Sequence, residues 1–257
     1  MITIETLYNK KIDRRINPAV VVSEMEDYFI NQEIEEYVFT QGITKNVYKF
    51  LDAVTNKKEG KTGVWISGYY GSGKSHFIKY LFYCLNKKHR EKASVNFKEA
   101  VKNIGTLEEP NPNQLATLLK KMDALEIDEI MFNIDAVSGN EDQKDRITRV
   151  FLNQLNNFRG YNNTNIALAL YLEKPLQELG KLELFKQKIK AAFNEDWSGN
   201  QLRFTRMSLN KVLDIAKDCN PEFDTESLRS TIQDKNQDYT IEFLIAEFQN
   251  FLKSKSE

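Results

Sequence analysis

Cysteine is scarce. Cys84 and Cys219, the two in the chain, lie far apart and fit no metal-ligand or redox spacing. A disulfide-stapled miniprotein is excluded, and both residues read as ordinary reduced thiols of a cytoplasmic protein. Five prolines and 11 glycines in 257 residues exclude collagen and glycine/proline-rich low complexity. No stretch approaches the ~18 consecutive apolar residues of a membrane span, and residues 1–11 carry no apolar signal region. The sequence therefore predicts no membrane segment. An excess of one charge is also lacking: 36 Lys plus Arg against 37 Asp plus Glu leave −1. Bulk charge thus gives no nonspecific pull toward nucleic acid, though a local patch is not excluded. What is present, 41% hydrophobic and 28% charged residues, suffices for a sizeable core in one large domain or one plus an appendage.

The first 22 residues, with Pro18, show no helical period and predict an extended arm. Ser23 followed by Glu26 forms a capping-box pattern that predicts a helix start. Ile43, Val47, Phe50, Leu51 and Val54 form one apolar face of a helix running to about Asn56. After a polar turn at 57–62, Val64-Trp65-Ile66-Ser67, bounded by Gly63 and Gly68, predicts a buried strand. Residues 74–88 predict a helix burying Phe77, Ile78, Leu81, Phe82 and Leu85. Residues 105–113 read as a loop in which Pro110 and Pro112 block helix continuation. A helix follows at 115–125, then a second strand, Ile130 to Ile134, ending at Asp135. From Asp142 onward the chain reads as almost entirely helical, with segments near 142–158, 165–179, 181–194, 208–218 and 240–252. The division expected is 1–60 as N-terminal arm and helices, 61–140 as an α/β core, and 141–257 as a mainly helical region. The fold class expected is α/β, a parallel sheet core with a large additional helical part.

Residues 68–75 read Gly68-Tyr69-Tyr70-Gly71-Ser72-Gly73-Lys74-Ser75, the G-x-x-x-x-G-K-S phosphate-binding loop. Glycines let the backbone curl into a nest whose amides face phosphate oxygens. The helix opening at about Gly73 adds its unpaired amides and positive dipole end. Lys74 is expected to reach the β- and γ-phosphates and the Ser75 hydroxyl to ligate Mg²⁺. Placement between an apolar run and an amphipathic helix makes nucleotide binding, with Mg²⁺, the firm expectation; no base-reading motif in the sequence distinguishes ATP from GTP.

Hydrolysis needs a second strand ending in an acid. Asp135 has that position, but no Glu follows it; Ala136 and Val137 do. A catalytic metal-shell role and a simple loop or helix cap are both open to Asp135. His76 either approaches a phosphate or packs. Tyr69 and Tyr70 either shield phosphates or meet a neighbouring subunit. Tyr37 and Phe39 either flank an adenine ring or pack in the core. The basic stretch Lys87, Lys88, His89, Arg90 and Lys92 reads as a solvated helix end or as a nucleic-acid contact.

The stretch GVWISGYYGSGKSHFIKYL resembles the P-loop region of the BrxC family, large ATPases of bacterial BREX phage-defence systems. LYNKKIDRRINPAV, EEYVFT and EIMFNID resemble it as well. The resemblance implies an AAA+/ORC-like P-loop fold and ATP hydrolysis in a longer protein whose Walker B strand follows a helix similar to 240–252. It also implies other BREX defence proteins as partners; a homo-oligomer, and DNA contact through the assembled complex, are open to it. The alternative expectation is a stand-alone switch or scaffold that binds ATP without hydrolysing it.

Overall fold

Helix α1 (Asp27–Glu36) buries Ile30 and Ile34, one turn apart. Helix α2 (Gln41–Thr55) starts where the Thr40 hydroxyl accepts from the Ile43 N–H at 3.3 Å, and it buries Val47 and Leu51 on the expected face. These elements belong to a computed structural model that describes residues 26–56, 63–104, 110–134, 145–234 and 237–255. The chain divides into two units, Met1–Asn133 and Ile134–Glu257.

In the first unit, α3 (Lys74–Leu85), α4 (Arg90–Ile104) and α5 (Pro112–Asp123) follow. Pro112 takes the first position of α5, so this helix starts three residues earlier than the sequence pattern predicts. Asn111 Oδ1 accepts from the N–H groups of Asn113 and Gln114, and the Gln114 side chain accepts in return from the Asn111 N–H at 2.9 Å. A proline at the first helical position loses only an N–H that has no partner there. The core gathers Ile34, Leu51, Tyr80, Phe97 and Met122. Full burial of a side chain such as Leu51 contributes about 1.5–3 kcal/mol.

Helix α3 buries Leu81 and packs Phe77, Phe82 and Leu85 against the core as its period predicts, but its innermost face is more polar than expected. Lys79, Tyr80, Tyr83 and Cys84 are inside with Leu81, while Ile78 is 41% exposed. Lys79 is neutralised by Glu33 of α1 at 2.5 Å, and the Tyr83 hydroxyl donates to the same carboxylate at 2.6 Å. The Tyr80 hydroxyl bonds to Ala93 O and Asn96 Oδ1, both at 2.8 Å. Polar partners on neighbouring helices let Lys79, Tyr80 and Tyr83 be buried beside that apolar side.

The expected parallel sheet core is overturned. Among the described residues no strand and no ladder occurs, and every regular element is helical. The runs Val64-Trp65-Ile66-Ser67 and Ile130 to Asn133 are irregular rather than strands. A strand needs a neighbour to take its backbone hydrogen bonds, and a four-residue apolar run does not specify one. Trp65 is 90% and Val64 63% exposed, so the first run is not buried either. Ile66 and Met131 still pack on the helical core. The arm, the Ser23 helix start, the 57–62 turn, loop residues 105–109 and Asp135 lie outside the described residues.

The second unit is helical, as its sequence predicts. Helix α6 (Arg146–Phe158) is followed by α7, residues 166–178, which runs through Ile166–Leu168, a π turn Ala169–Glu173 and Lys174–Glu178. Then come α8 (Leu182–Phe193), α9 (Gln201–Met207), α10 (Leu209–Cys219), α11 (Thr225–Gln233) and α12 (Ile241–Ser254). In the π turn, buried Glu173 accepts from the Asn162 N–H at 2.5 Å and the Trp197 indole at 2.6 Å. Buried Glu247 of α12 holds Arg159 at 3.1 Å and Lys174 at 2.8 Å. Helices α4, α9 and α11 lie where the sequence pattern predicts no element.

Candidate functional site

The loop ahead of α3 is built on two left-handed residues. Gly71 has φ +78° and Gly73, the residue capping α3, φ +82°. A Cβ at either position would meet no atom within 4 Å, so backbone conformation rather than crowding calls for glycine. Left-handed backbone costs an L-residue roughly 1–2 kcal/mol. The Ser72 N–H donates to Tyr69 O at 3.2 Å and closes the turn. The first hydrogen bond of α3 runs from Phe77 N–H to Gly73 O at 2.9 Å, and no side chain of Gly73 exists to cap the helix start. Amides of the first turn have no intrahelical acceptor, so they are left for a ligand or water.

The Lys74 ammonium sits within the loop. Its Nζ donates to Gly68 O at 3.0 Å and Tyr69 O at 2.7 Å. Both acceptors are neutral carbonyls, so the full positive charge stays available at the loop mouth. This arrangement fits a polyphosphate: two glycines in the required conformation, an uncapped helix start and one cation brought to them.

A cavity of about 570 Å³ opens beside the loop. Of the predicted site residues, Gly68, Tyr69, Ser72, Gly73, Lys74 and His76 line it. Tyr70, Gly71 and Ser75 belong to the same loop and helix start but not to the cavity wall. Tyr69 and Tyr70 stand in solvent, 92% and 105% exposed. The far wall comes from the α1–α2 connection and the start of α2, with Tyr37, Val38, Ile43 and Asn46. The sequence singles out Tyr37 as a candidate but not the other three, which belong to no ligand-binding motif. Tyr37 is half-buried, and burial, reinforced by nearby Cys84, pushes its hydroxyl up to about 12, so it remains a neutral phenol. Phe39 packs edge-on to Tyr80 at 5.1 Å and takes the core role.

The basic stretch divides: Lys87 and Lys88 stay at the solvated surface, while His89 and Arg90 are buried. Lys88 pairs with Asp27 and Lys92 with Glu35, each at 2.6 Å. Arg90 is buried and donates to Leu85 O, Met122 O and Leu125 O. His89 is buried as well, and burial lowers its pKa. Among the described residues no group of three His, Cys, Asp or Glu is placed to hold a metal, and no helix is long and apolar enough to cross a membrane.

Residues 40–256 match the model of the KAP family P-loop domain. No solved structure matches the chain. The match begins at the α2 cap, takes in the whole glycine loop with Lys74, and spans well over half of the sequence. A P-loop NTPase domain of this kind implies nucleotide, with Mg²⁺ as its companion ion. The chain belongs to the KAP family of P-loop domains.

Proposed function

We propose that the chain is an ATP-binding P-loop module of a bacterial BREX phage-defence complex, with hydrolysis carried out in a longer protein of the BrxC kind. The observation that carries the binding half is the loop itself. Gly71 and Gly73 hold the left-handed conformations, α3 opens uncapped at Lys74, and the Lys74 ammonium lies against the loop. In this reading the amides from Tyr70 to Ser75 cradle the phosphates, and Lys74 offsets the β- and γ-phosphate charge. The Ser75 hydroxyl ligates Mg²⁺, which supplies charge neutralisation between phosphate oxygens. His76 lies at the cavity edge beside them. Asp135 keeps its candidacy as the metal-shell carboxylate from sequence alone. The BREX half rests on the four sequence fragments that resemble BrxC. Other defence proteins, further copies of the chain and, through the assembled complex, DNA are the partners this reading implies.

Two experiments test it. Calorimetric titration with Mg·ATP and Mg·GTP is expected to show one saturable site; no heat with either nucleotide overturns the binding half. In a bacterium protected by the corresponding defence system, Lys74→Ala in the intact protein is expected to restore phage plating. Unchanged protection contradicts the assignment to defence.

A further inference from the structure

A phosphate loop carries no information about the base. Its amides and its lysine meet oxygens common to every nucleoside triphosphate, so any gain from the nucleoside has to come from the wall facing the loop. In this chain that wall is the α1–α2 connection, and its composition is particular. Tyr37 presents a ring, Val38 and Ile43 present aliphatic side chains, and the exposed Asn46 lies on the first turns of α2. Val38 is 75% exposed although it is apolar. Core packing does not account for a valine held there.

Tyr37 is fixed before any ligand arrives. Its ring lies 4.3 Å from that of Tyr80, 4.9 Å from Phe39 and 5.3 Å from His76, centroid to centroid. Tyr80 is in turn locked by its bonds to Ala93 and Asn96. A ring held this way loses little further freedom on binding, and such preorganisation raises affinity. The cavity of about 570 Å³ lies within the ~300–1,000 Å³ range of small-molecule sites.

We propose that Tyr37 and Val38 form a base slot in which the nucleobase of the bound triphosphate stacks on the Tyr37 ring against the aliphatic surface of Val38 and Ile43. The proposal rests on the P-loop reading above and adds to it the part of the ligand that the loop does not read. Stacking on an aromatic ring is available to every base, because each has a π-face. The larger purine covers more of the slot than a pyrimidine does. Asn46 supplies a carboxamide at the edge, able to accept from an exocyclic amine and to donate to a ring nitrogen. The slot therefore favours ATP over CTP, and any nucleoside triphosphate over a bare polyphosphate chain.

The test compares Mg·ATP with Mg·tripolyphosphate on the full chain by calorimetry. Wild type is expected to bind ATP about tenfold more tightly than tripolyphosphate, with CTP between them. Tyr37→Ala is expected to bring ATP to the tripolyphosphate level while tripolyphosphate affinity stays within about twofold. Because Tyr37 also packs on Tyr80, Val38→Ser serves as the second variant. Its side chain is exposed, so the fold is retained, and ATP is expected to bind about threefold more weakly with tripolyphosphate unchanged. Tripolyphosphate binding with ATP no tighter than it overturns the slot and leaves the phosphate loop standing. The slot is likewise overturned if Tyr37→Ala, folded, and Val38→Ser both keep the wild-type ratio of ATP to tripolyphosphate affinity. Binding of neither probe overturns the loop reading, and the slot falls with it.

Discussion

Replacing Gly73 by alanine sets backbone strain against ligand binding at one position. Gly73 has φ +82° and ψ 15°, and an added Cβ meets nothing within 4 Å. The whole effect is therefore conformational, roughly 1–2 kcal/mol against the left-handed state. The free chain can escape that cost by letting the loop relax, because the loop bears little packing: Tyr69 and Tyr70 are in solvent, and Ser75 and His76 are exposed. The nucleotide-bound chain has no such escape, since the amides cradle phosphate only in the curled conformation. Most of the strain thus falls on the binding equilibrium. At about 1.4 kcal/mol per tenfold, Gly73→Ala should weaken Mg·ATP binding by roughly tenfold while the unfolding midpoint moves by less than about 2 °C. Calorimetry and thermal unfolding on the same preparation read both quantities. A midpoint lowered by several degrees with ATP affinity intact would refute the reasoning, because it would place the glycine in the scaffold rather than in a phosphate cradle.

Two predictions concern the second unit. Burial raises the Glu173 carboxyl above its ordinary 4.5 despite the hydrogen bonds from Asn162 and Trp197, which favour the charged form. The folded chain therefore keeps this proton to higher pH than the unfolded chain does. Its stabilising contribution is complete below the unfolded value and is lost as pH rises through the folded one. Glu173→Gln, which cannot ionise, should gain in melting temperature relative to wild type as pH goes from about 5 to about 8; a difference that stays constant with pH counts against this. Asn156 of α6 is fully buried, and neither atom of its carboxamide has a hydrogen-bond partner among the described residues. An unsatisfied buried polar group costs about 1–3 kcal/mol, so Asn156→Leu should raise stability by about 1 kcal/mol in denaturant unfolding, and a loss of stability would contradict that reading.

How much the sequence discloses follows from how local each requirement is. The phosphate loop is legible because its needs lie within eight residues: glycine where φ is positive, lysine where a helix begins. Helix α2 is legible because Val47 and Leu51 are buried by their own apolar period. The buried face of α3 is legible only in part: Leu81, Phe77, Phe82 and Leu85 pack on the core as their period predicts, whereas the burial of Lys79, Tyr80 and Tyr83 depends on distant partners. Nothing near Lys79 in the chain announces Glu33, and nothing near Tyr80 announces Asn96. Pro112 by itself reads as a helix breaker, whereas the Asn111–Gln114 capping box makes it a helix start. The two apolar runs read as sheet strands on composition alone, while pairing is a property of the neighbour. In the described structure Ile66 and Met131 spend their apolar surface on helices instead. The far wall of the cavity is illegible for a related reason. Val38, Ile43 and Asn46 acquire meaning only when the α1–α2 connection is folded against the loop.

Removal of the Lys74 ammonium is the most direct measurement. In the free chain the Lys74 ammonium rests on the exposed loop carbonyls of Gly68 and Tyr69, which water can serve in its place, whereas its bond to a bound phosphate contributes about 1.5–3 kcal/mol. Lys74→Ala should therefore lower Mg·ATP affinity by roughly ten- to a hundredfold in a calorimetric titration, with the thermal midpoint of the free chain lowered by no more than a few degrees. Wild-type affinity in the folded variant would contradict the assignment of this loop to phosphate.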